Sequence, residues 1–275
     1  MHDIRFDVVI PARLQSTRLP EKALAEIGDK PMVIHVAQRS QTSGAQRTII
    51  ATDSSRIVEC ANQYNVEVML TAKHHECGTD RLAELATQLD WADDQIIVNV
   101  QGDEPLINPT LIREVAAHLA ANPSCALASA AHPVSSREEI FNPNVVKVVL
   151  DARGYALYFS RAPIPWARDA WQDVMGETGF SVNQATSANS TDDPSLLPVY
   201  RHIGIYAYRA AFLRRFASLT PSSLEAAEAL EQLRALWHGE SMAIHLTDQA
   251  PIGGVDTAAD LERVRALFKQ GRTFA

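Results

Sequence analysis

The sequence predicts an α/β fold in which a mainly parallel sheet is covered by helices on both faces. Short β-branched runs, Val8-Val9-Ile10, Thr48-Ile49-Ile50, Val66-Glu67-Val68-Met69 and Ile96-Ile97-Val98-Asn99-Val100, are each followed by a helix-like stretch, the alternation from which parallel sheets are built. The second half breaks that rhythm: strand-like runs at 145–150 and 156–160 flank the turn Asp151-Ala152-Arg153-Gly154, which adds an antiparallel hairpin. At 275 residues the chain is long for one average domain and short for two, so a single domain with an elaborated second half fits.

Taken in order, the run at 8–10 leads into a polar, basic loop, Pro11-Ala12-Arg13-Leu14-Gln15-Ser16-Thr17-Arg18-Leu19-Pro20-Glu21-Lys22. Gly78-Thr79-Asp80-Arg81 opens a helix that carries Leu82, Leu85 and Leu89 on one side. Residues 172–199, rich in Ser, Asn, Thr, Asp and Gly, read as an inserted surface loop. A helix is expected at 223–237, opened by the capping-box pattern Ser222-Ser223-Leu224-Glu225 and closed by Gly239. Its stripe Leu224, Ala227, Leu230, Leu233, Ala235 and Trp237 reads as core packing. Thr257-Ala258-Ala259-Asp260 opens the last helix in the same way.

Composition narrows the function. With 46% hydrophobic and 21% charged residues the chain is an ordinary globular one. No apolar run reaches about 18 residues and no signal-peptide pattern is visible at the start, so a cytoplasmic location is the expectation. Cys60, Cys77 and Cys125 are odd in number and widely spaced, which predicts reduced, structural cysteines. A formal charge of −8 argues against nucleic-acid binding, which needs a basic footprint. It leaves a small anion open, because Arg13, Arg18 and Lys22 fall within ten residues and a ligand feels the local field.

Three groups of residues can carry chemistry. The loop after the first strand lies where α/β proteins bind ligands; its amides and hydroxyls can cradle phosphates, and Arg13 and Lys22 can give charge-assisted hydrogen bonds. It holds neither GxxxxGK[ST] nor GxGxxG, which weakens a dinucleotide-dependent oxidoreductase. Its cations could equally well be solvated. Gln101-Gly102-Asp103-Glu104-Pro105 places a carboxylate just past a buried-looking strand. Mg²⁺ takes about two carboxylates with phosphate oxygens and waters, and Asp256 in Gly253-Gly254-Val255-Asp256-Thr257 is the candidate partner. The competing reading of Asp103 is a turn, and of Asp256 a turn or helix cap. The start of the helix at Gly78 can hold an anion or a base carbonyl, or be a helix start alone. His74 and His75 read as solvated or capping groups, since no ligand cluster accompanies them.

Longer words make a family resemblance. VVIPARLQSTRLPEK, KPMVIHV, IIATD, CGTDRLAEL, IIVNVQGDEPLI, FNPNVVKVVLD, YALYFSRAPIPW, RHIGIYAYR, LEQLR and GGVDT together resemble the 3-deoxy-manno-octulosonate (Kdo) cytidylyltransferases, or CMP-Kdo synthetases, over almost the whole chain. The resemblance implies a Rossmann-like fold of nucleotidyltransferase type, with a nucleotide-binding half at 1–135 and a sugar-acid-binding and dimerisation half at 136–275. It implies that Pro11, Ala12, Arg13, Lys22, Gly78, Thr79, Arg81 and Gln101 meet CTP, that Asp103 and Asp256 hold Mg²⁺, and that Arg13, Lys22 and Asp103 are catalytic. Arg161, His202, Tyr206, Glu231 and Gln232 are implied on the sugar-acid side.

The anomeric hydroxyl of the acid would then attack the α-phosphorus of CTP, with pyrophosphate leaving; the product would serve lipopolysaccharide synthesis, and the enzyme would be a homodimer with no nucleic-acid or membrane partner. The chain departs from the family pattern at Glu21-Lys22-Ala23, where Gly-Lys-Pro is expected, in the length of 172–199, and at Ala226, where many relatives carry histidine. An 8-amino-Kdo or sialic-acid cytidylyltransferase and a non-catalytic nucleotide-binding homologue are the rival readings. Intact Arg13, Lys22, Asp103 and Asp256 count against the last.

Overall fold

The apolar run at 8–10 becomes part of the middle strand, β1 (Phe6–Ala12), buried everywhere except at Pro11, as a strand covered on both faces should be. The computed structural model describes residues 4–16, 18–75, 77–134, 136–168 and 199–270. After β1 come a short hairpin of β2 (Glu26–Ile27) and β3 (Lys30–Pro31), then α1 (Met32–Gln41), β4 (Thr48–Thr52), α2 (Ser55–Gln63), β5 (Glu67–Leu70), α3 (Gly78–Gln88), β6 (Ile96–Asn99) and α4 (Pro109–Ala121). The remainder is β7 (Leu127–Pro133), α5 (Arg137–Phe141), β8 (Lys147–Leu150), β9 (Ala156–Ser160), β10 (Tyr200–Arg209), α6 (Ala210–Phe216), α7 (Ser223–Glu228), α8 (Gln232–Trp237), β11 (Met242–Leu246) and α9 (Ala258–Lys269).

The main sheet runs β11-β7-β10-β6-β1-β4-β5. Pairings of β1 with β4 and β6, of β4 with β5 and of β11 with β7 are parallel; β10 lies antiparallel between β6 and β7. The hairpin of β8 and β9 joins the edge of β10. The expected α/β fold, with its added hairpin, is therefore borne out.

Alternation along β1 sorts the core. Phe6, Val8 and Ile10 pack with apolar residues of α1, α2 and α4 on one face, while Val9 packs with α3, α6 and α8 on the other. A third, small cluster of Ile27, Met32, Leu106, Val255, Leu261 and Val264 stands apart from both. It joins the turn region after β1 to α9, and Arg265 Nε adds a 2.8 Å hydrogen bond to the Glu26 carbonyl.

One expected element is corrected. The helix at 223–237 breaks into α7 and α8 at Ala229, which takes φ 50° and ψ 50°. Of its apolar stripe, Leu230, Leu233 and Ala235 are buried, but Leu224, before the break, and Trp237, at the far end of α8, are exposed. The predicted caps do form: Ser222 pairs with Glu225 and Thr257 with Asp260. The expected loop at 172–199, except Val199, lies outside the described residues.

Candidate active site

Parallel neighbours of β1 leave it in opposite senses, β4 and β5 to one side and β6 to the other, and such a switch point opens a crevice at the carboxyl ends of the strands. A cleft of about 730 Å³ lies there, large enough for a nucleotide. Pro11, Ala12, Arg13, Arg18 and Lys22 form one wall, Gly78 and Arg81 another, and Gln101, Asp103 and Asp256 the third. Close approach builds it: a Cβ on Gly102 would stand 2.9 Å from the Pro11 carbonyl oxygen, and one on Gly254 would stand 2.9 Å from the Asp103 carbonyl oxygen.

Charge converges at this point. Lys22 Nζ lies 2.6 Å from Asp103 Oδ2 and 3.1 Å from Asp256 Oδ1, and Arg18 reaches Asp256 at 3.0 Å. Burial works against the Lys22 ammonium, but Asp103 and then Asp256 outweigh it and its pKa is raised. Burial, reinforced by Asp103 and Asp256, lifts the neighbouring Glu104 carboxyl to about 8. Two aspartates, far apart in sequence, thus share one cation. Hard carboxylate oxygens aimed at a single positive charge suit Mg²⁺, which fills the rest of its shell with phosphate oxygens and waters. Among the described residues no group of three or more His, Cys, Asp or Glu side chains could hold a metal ion, so the fit is to a hard ion sharing substrate ligands rather than to an all-protein cage.

Arg13 is exposed at the cleft, free to turn toward an anion. Arg81 is spent differently: it is buried and donates to Thr71 Oγ1 at 2.6 Å, to the Ala72 carbonyl at 3.3 Å and to Asp53 at 2.7 Å. It therefore ties the ends of β4 and β5 to the first turn of α3, and lines the cleft as part of that frame. His75, expected to be solvated or capping, instead faces the cleft and pairs at 2.5 Å with Glu84, which also accepts the Ala72 N–H. Cys77 lines the cleft too, its thiol pushed well up by burial. Neither was assigned a place there from sequence; their position just before the helix at Gly78 was the available signal.

A second cavity, about 340 Å³, shares Gly78, Gln101 and Asp103 with the cleft. Its remaining walls include Thr79, Asn99, Tyr206, Tyr208, Glu231 and Gln232. Asn99 Oδ1, Glu231 Oε1 and Gln232 Nε2 are buried without hydrogen-bond partners, a costly state unless a ligand supplies them. Burial raises the Glu231 pKa despite hydrogen bonds from Thr79 and Cys77.

Tyr206, Glu231 and Gln232 thus line this cavity; Arg161 and His202 do not. The Arg161 guanidinium donates to the Glu228 carbonyl at 2.7 Å and the Pro143 carbonyl at 3.1 Å. His202 lies behind Tyr206, its Nε2 at 2.9 Å from Ser129 Oγ, and burial drives its pKa down to about 3.

A nucleotide-sized cleft at the switch point, with basic residues and converging carboxylates, suits a nucleotidyltransferase. A cytidylyltransferase family model matches residues 8–242. A structure of CMP:2-keto-3-deoxy-manno-octonic acid synthetase complexed with CTP is 36% identical, with 98% of this chain and 100% of that one covered and a TM-score of 0.83. This chain belongs to the cytidylyltransferase family, within its CMP-Kdo synthetases. Two more distant structures share the fold: a cytidylyltransferase from Leptospira borgpetersenii serovar Hardjo-bovis (14% identity, 99% and 90% coverage, TM-score 0.60) and 4-diphosphocytidyl-2C-methyl-D-erythritol synthase (13%, 96% and 98%, 0.58). No helix among the described residues is long and apolar enough to cross a membrane.

Proposed function

We propose that this enzyme transfers CMP from CTP to Kdo, giving CMP-Kdo and pyrophosphate for lipopolysaccharide synthesis, with Mg²⁺ as cofactor. The observation that carries the proposal is the shared wall: Asp103 and Gln101 belong both to the charged cleft and to the buried cavity beside it, so an acceptor hydroxyl and a nucleotide phosphate meet at Asp103. The anomeric hydroxyl attacks the α-phosphorus, the bond to the β-phosphate oxygen breaks, pyrophosphate leaves, and the hydroxyl proton is lost to water. Arg13 and Lys22 bind the triphosphate and offset the charge that develops on it. Asp103 and Asp256 would hold Mg²⁺, whose charge lowers the pKa of the hydroxyl and offsets repulsion between two anionic substrates.

A second reading has its own support. The unpaired Glu231 oxygen would accept a hydrogen bond from an ammonium group, so the 8-amino analogue of Kdo is the alternative acceptor. The proposal includes a cytoplasmic homodimer; Leu157, a large apolar side chain left exposed in the second half, can contribute to an interface. Pyrophosphate release from CTP and magnesium, with Kdo, its 8-amino analogue or a sialic acid as acceptor, tests the reading. Release with Kdo in preference to the others supports it, preference for another acid changes the substrate, and silence with all three refutes it.

A further inference from the structure

The residues that carry the acceptor cavity stand on an elbow. α7 ends at Ala229 in the left-handed conformation, which an alanine keeps only when its surroundings hold it. Beyond the elbow, Glu231 and Gln232 enter the cavity. Two attachments fix this geometry. At the end of α7, the Glu228 carboxylate accepts the Ser160 hydroxyl at 2.5 Å and the Arg161 N–H at 2.9 Å. Across the elbow, Arg234 donates Nε to Glu225 Oε2 at 2.9 Å and Nη2 to Glu225 Oε1 at 2.6 Å.

This second attachment is unlike a surface ion pair. The two side chains are only 11% and 13% exposed, and the guanidinium lies 4.6 Å from the Phe216 ring; Phe216 in turn lines the cavity. A two-pronged Arg–carboxylate contact sets orientation as well as distance. We infer that the Glu225–Arg234 pair is a positioning device that sets the angle between α7 and α8 and so places Glu231 and Gln232 for the acceptor. The inference rests on the reading of this cavity as the acceptor site. Neither Glu225 nor Arg234 lines it, so both act through other residues. α8 adds nothing to the nucleotide cleft, so the effect falls on one substrate only.

The test compares apparent KM values for the two substrates. Glu225→Gln keeps a residue that completes the α7 capping box but removes the charge. It should raise KM for the acceptor about tenfold or more while KM for CTP stays within about twofold, the scale of a small misplacement in a binding site. Arg234→Lys, a point charge without the fork, should fall between. Ser222→Ala, which removes the cap and leaves the pair, should leave acceptor KM unchanged. Hydrogen exchange at 229–234, expected to quicken in Glu225→Gln and Arg234→Lys, reads the elbow without turnover. Unchanged exchange there, an unchanged acceptor KM, or a matching rise in KM for CTP would overturn the inference. Absence of turnover in the wild type would refute the acceptor assignment instead, leaving exchange to decide the elbow.

Discussion

The two cavities that meet at Asp103 solve recognition in opposite ways. The nucleotide cleft is charged, and apart from Arg13 its central cations are already matched: Lys22 with Asp103 and Asp256, Arg18 with Asp256. The smaller cavity, proposed for the acceptor, is lined by aromatic side chains and keeps Asn99, Glu231 and Gln232 atoms unpaired. A triphosphate entering the first exchanges one set of ionic partners for another. On the proposed assignment, an acid entering the second would supply partners that buried groups lack, and a site of that kind discriminates strongly, because an analogue without the right group leaves them unsatisfied. On that assignment, affinity for charge belongs to one cavity and selectivity to the other.

The strongest way to break this comparison is to remove the residue both cavities share. Asp103→Ala should cut pyrophosphate release about a thousandfold, the several kcal/mol expected of metal and phosphate charge stabilisation. A variant within tenfold of wild type, or one that no longer melts cooperatively, would mean that Asp103 serves the fold more than the chemistry.

The buried histidine packed against Tyr206 is sensitive to acid. His202 stays neutral in the fold down to about 3, against an ordinary value of 6.5, while the unfolded chain takes up its proton near the ordinary value. Between these limits the unfolded state holds more protons, so the contribution of the neutral imidazole is complete above pH 6.5 and drains away as pH falls toward 3. By pH 5 the loss is about 2 kcal/mol. Urea midpoints at pH 7 and pH 5 should therefore converge in His202→Asn. An equal acid sensitivity in the variant would place the burden on other groups.

The smallest effect lies on the charged rim. Glu21 takes φ 55° and pairs with Arg56; its ion pair is exposed and worth little, while the left-handed backbone is costly for any residue but glycine. Glu21→Gly should raise stability by no more than about 1 kcal/mol, read as a small rise in Tm, with KM for CTP unmoved. A clear loss of CTP affinity would show that Glu21 orients Lys22.

What was legible in the sequence follows the same division. β1, β4, β5 and β6 announced themselves as branched apolar runs, the β8–β9 hairpin by its Asp-Ala-Arg-Gly turn, and α7 and α9 by their caps, because each signal is local. β7 was not singled out: Leu-Ala-Ser-Ala-Ala lacks the branched residues that mark a strand, and only its place between β10 and β11 makes it one. The break at Ala229 ran against local preference, since the Ala- and Glu-rich stretch around it favours helix and the Glu228 and Glu225 contacts decide otherwise. Residue type offered no sign that Glu21 stands where the backbone is left-handed; the family pattern, which expects glycine there, was the better guide. At the site, Lys22, Asp103 and Asp256 were named from position after strands or before a helix, but their convergence on one point is a long-range fact. Arg161 and His202 were placed by resemblance alone, and neither side chain is in the wall of the cavity lined by Tyr206, Glu231 and Gln232.

The third hydrophobic cluster has a consequence for how the enzyme fails. Ile27, Met32, Leu106, Val255, Leu261 and Val264 are few beside the two layers that hold the sheet, yet they form the apolar contact that docks the segment bearing Asp256 against the turn region bearing Lys22, with a few polar contacts beside them. Small, peripheral clusters open at lower free energy than the global fold. Warming should therefore detach α9 and carry Asp256 away from Lys22 and Asp103 while the sheet is still intact, so that heat inactivation begins below the melting transition and reverses on cooling.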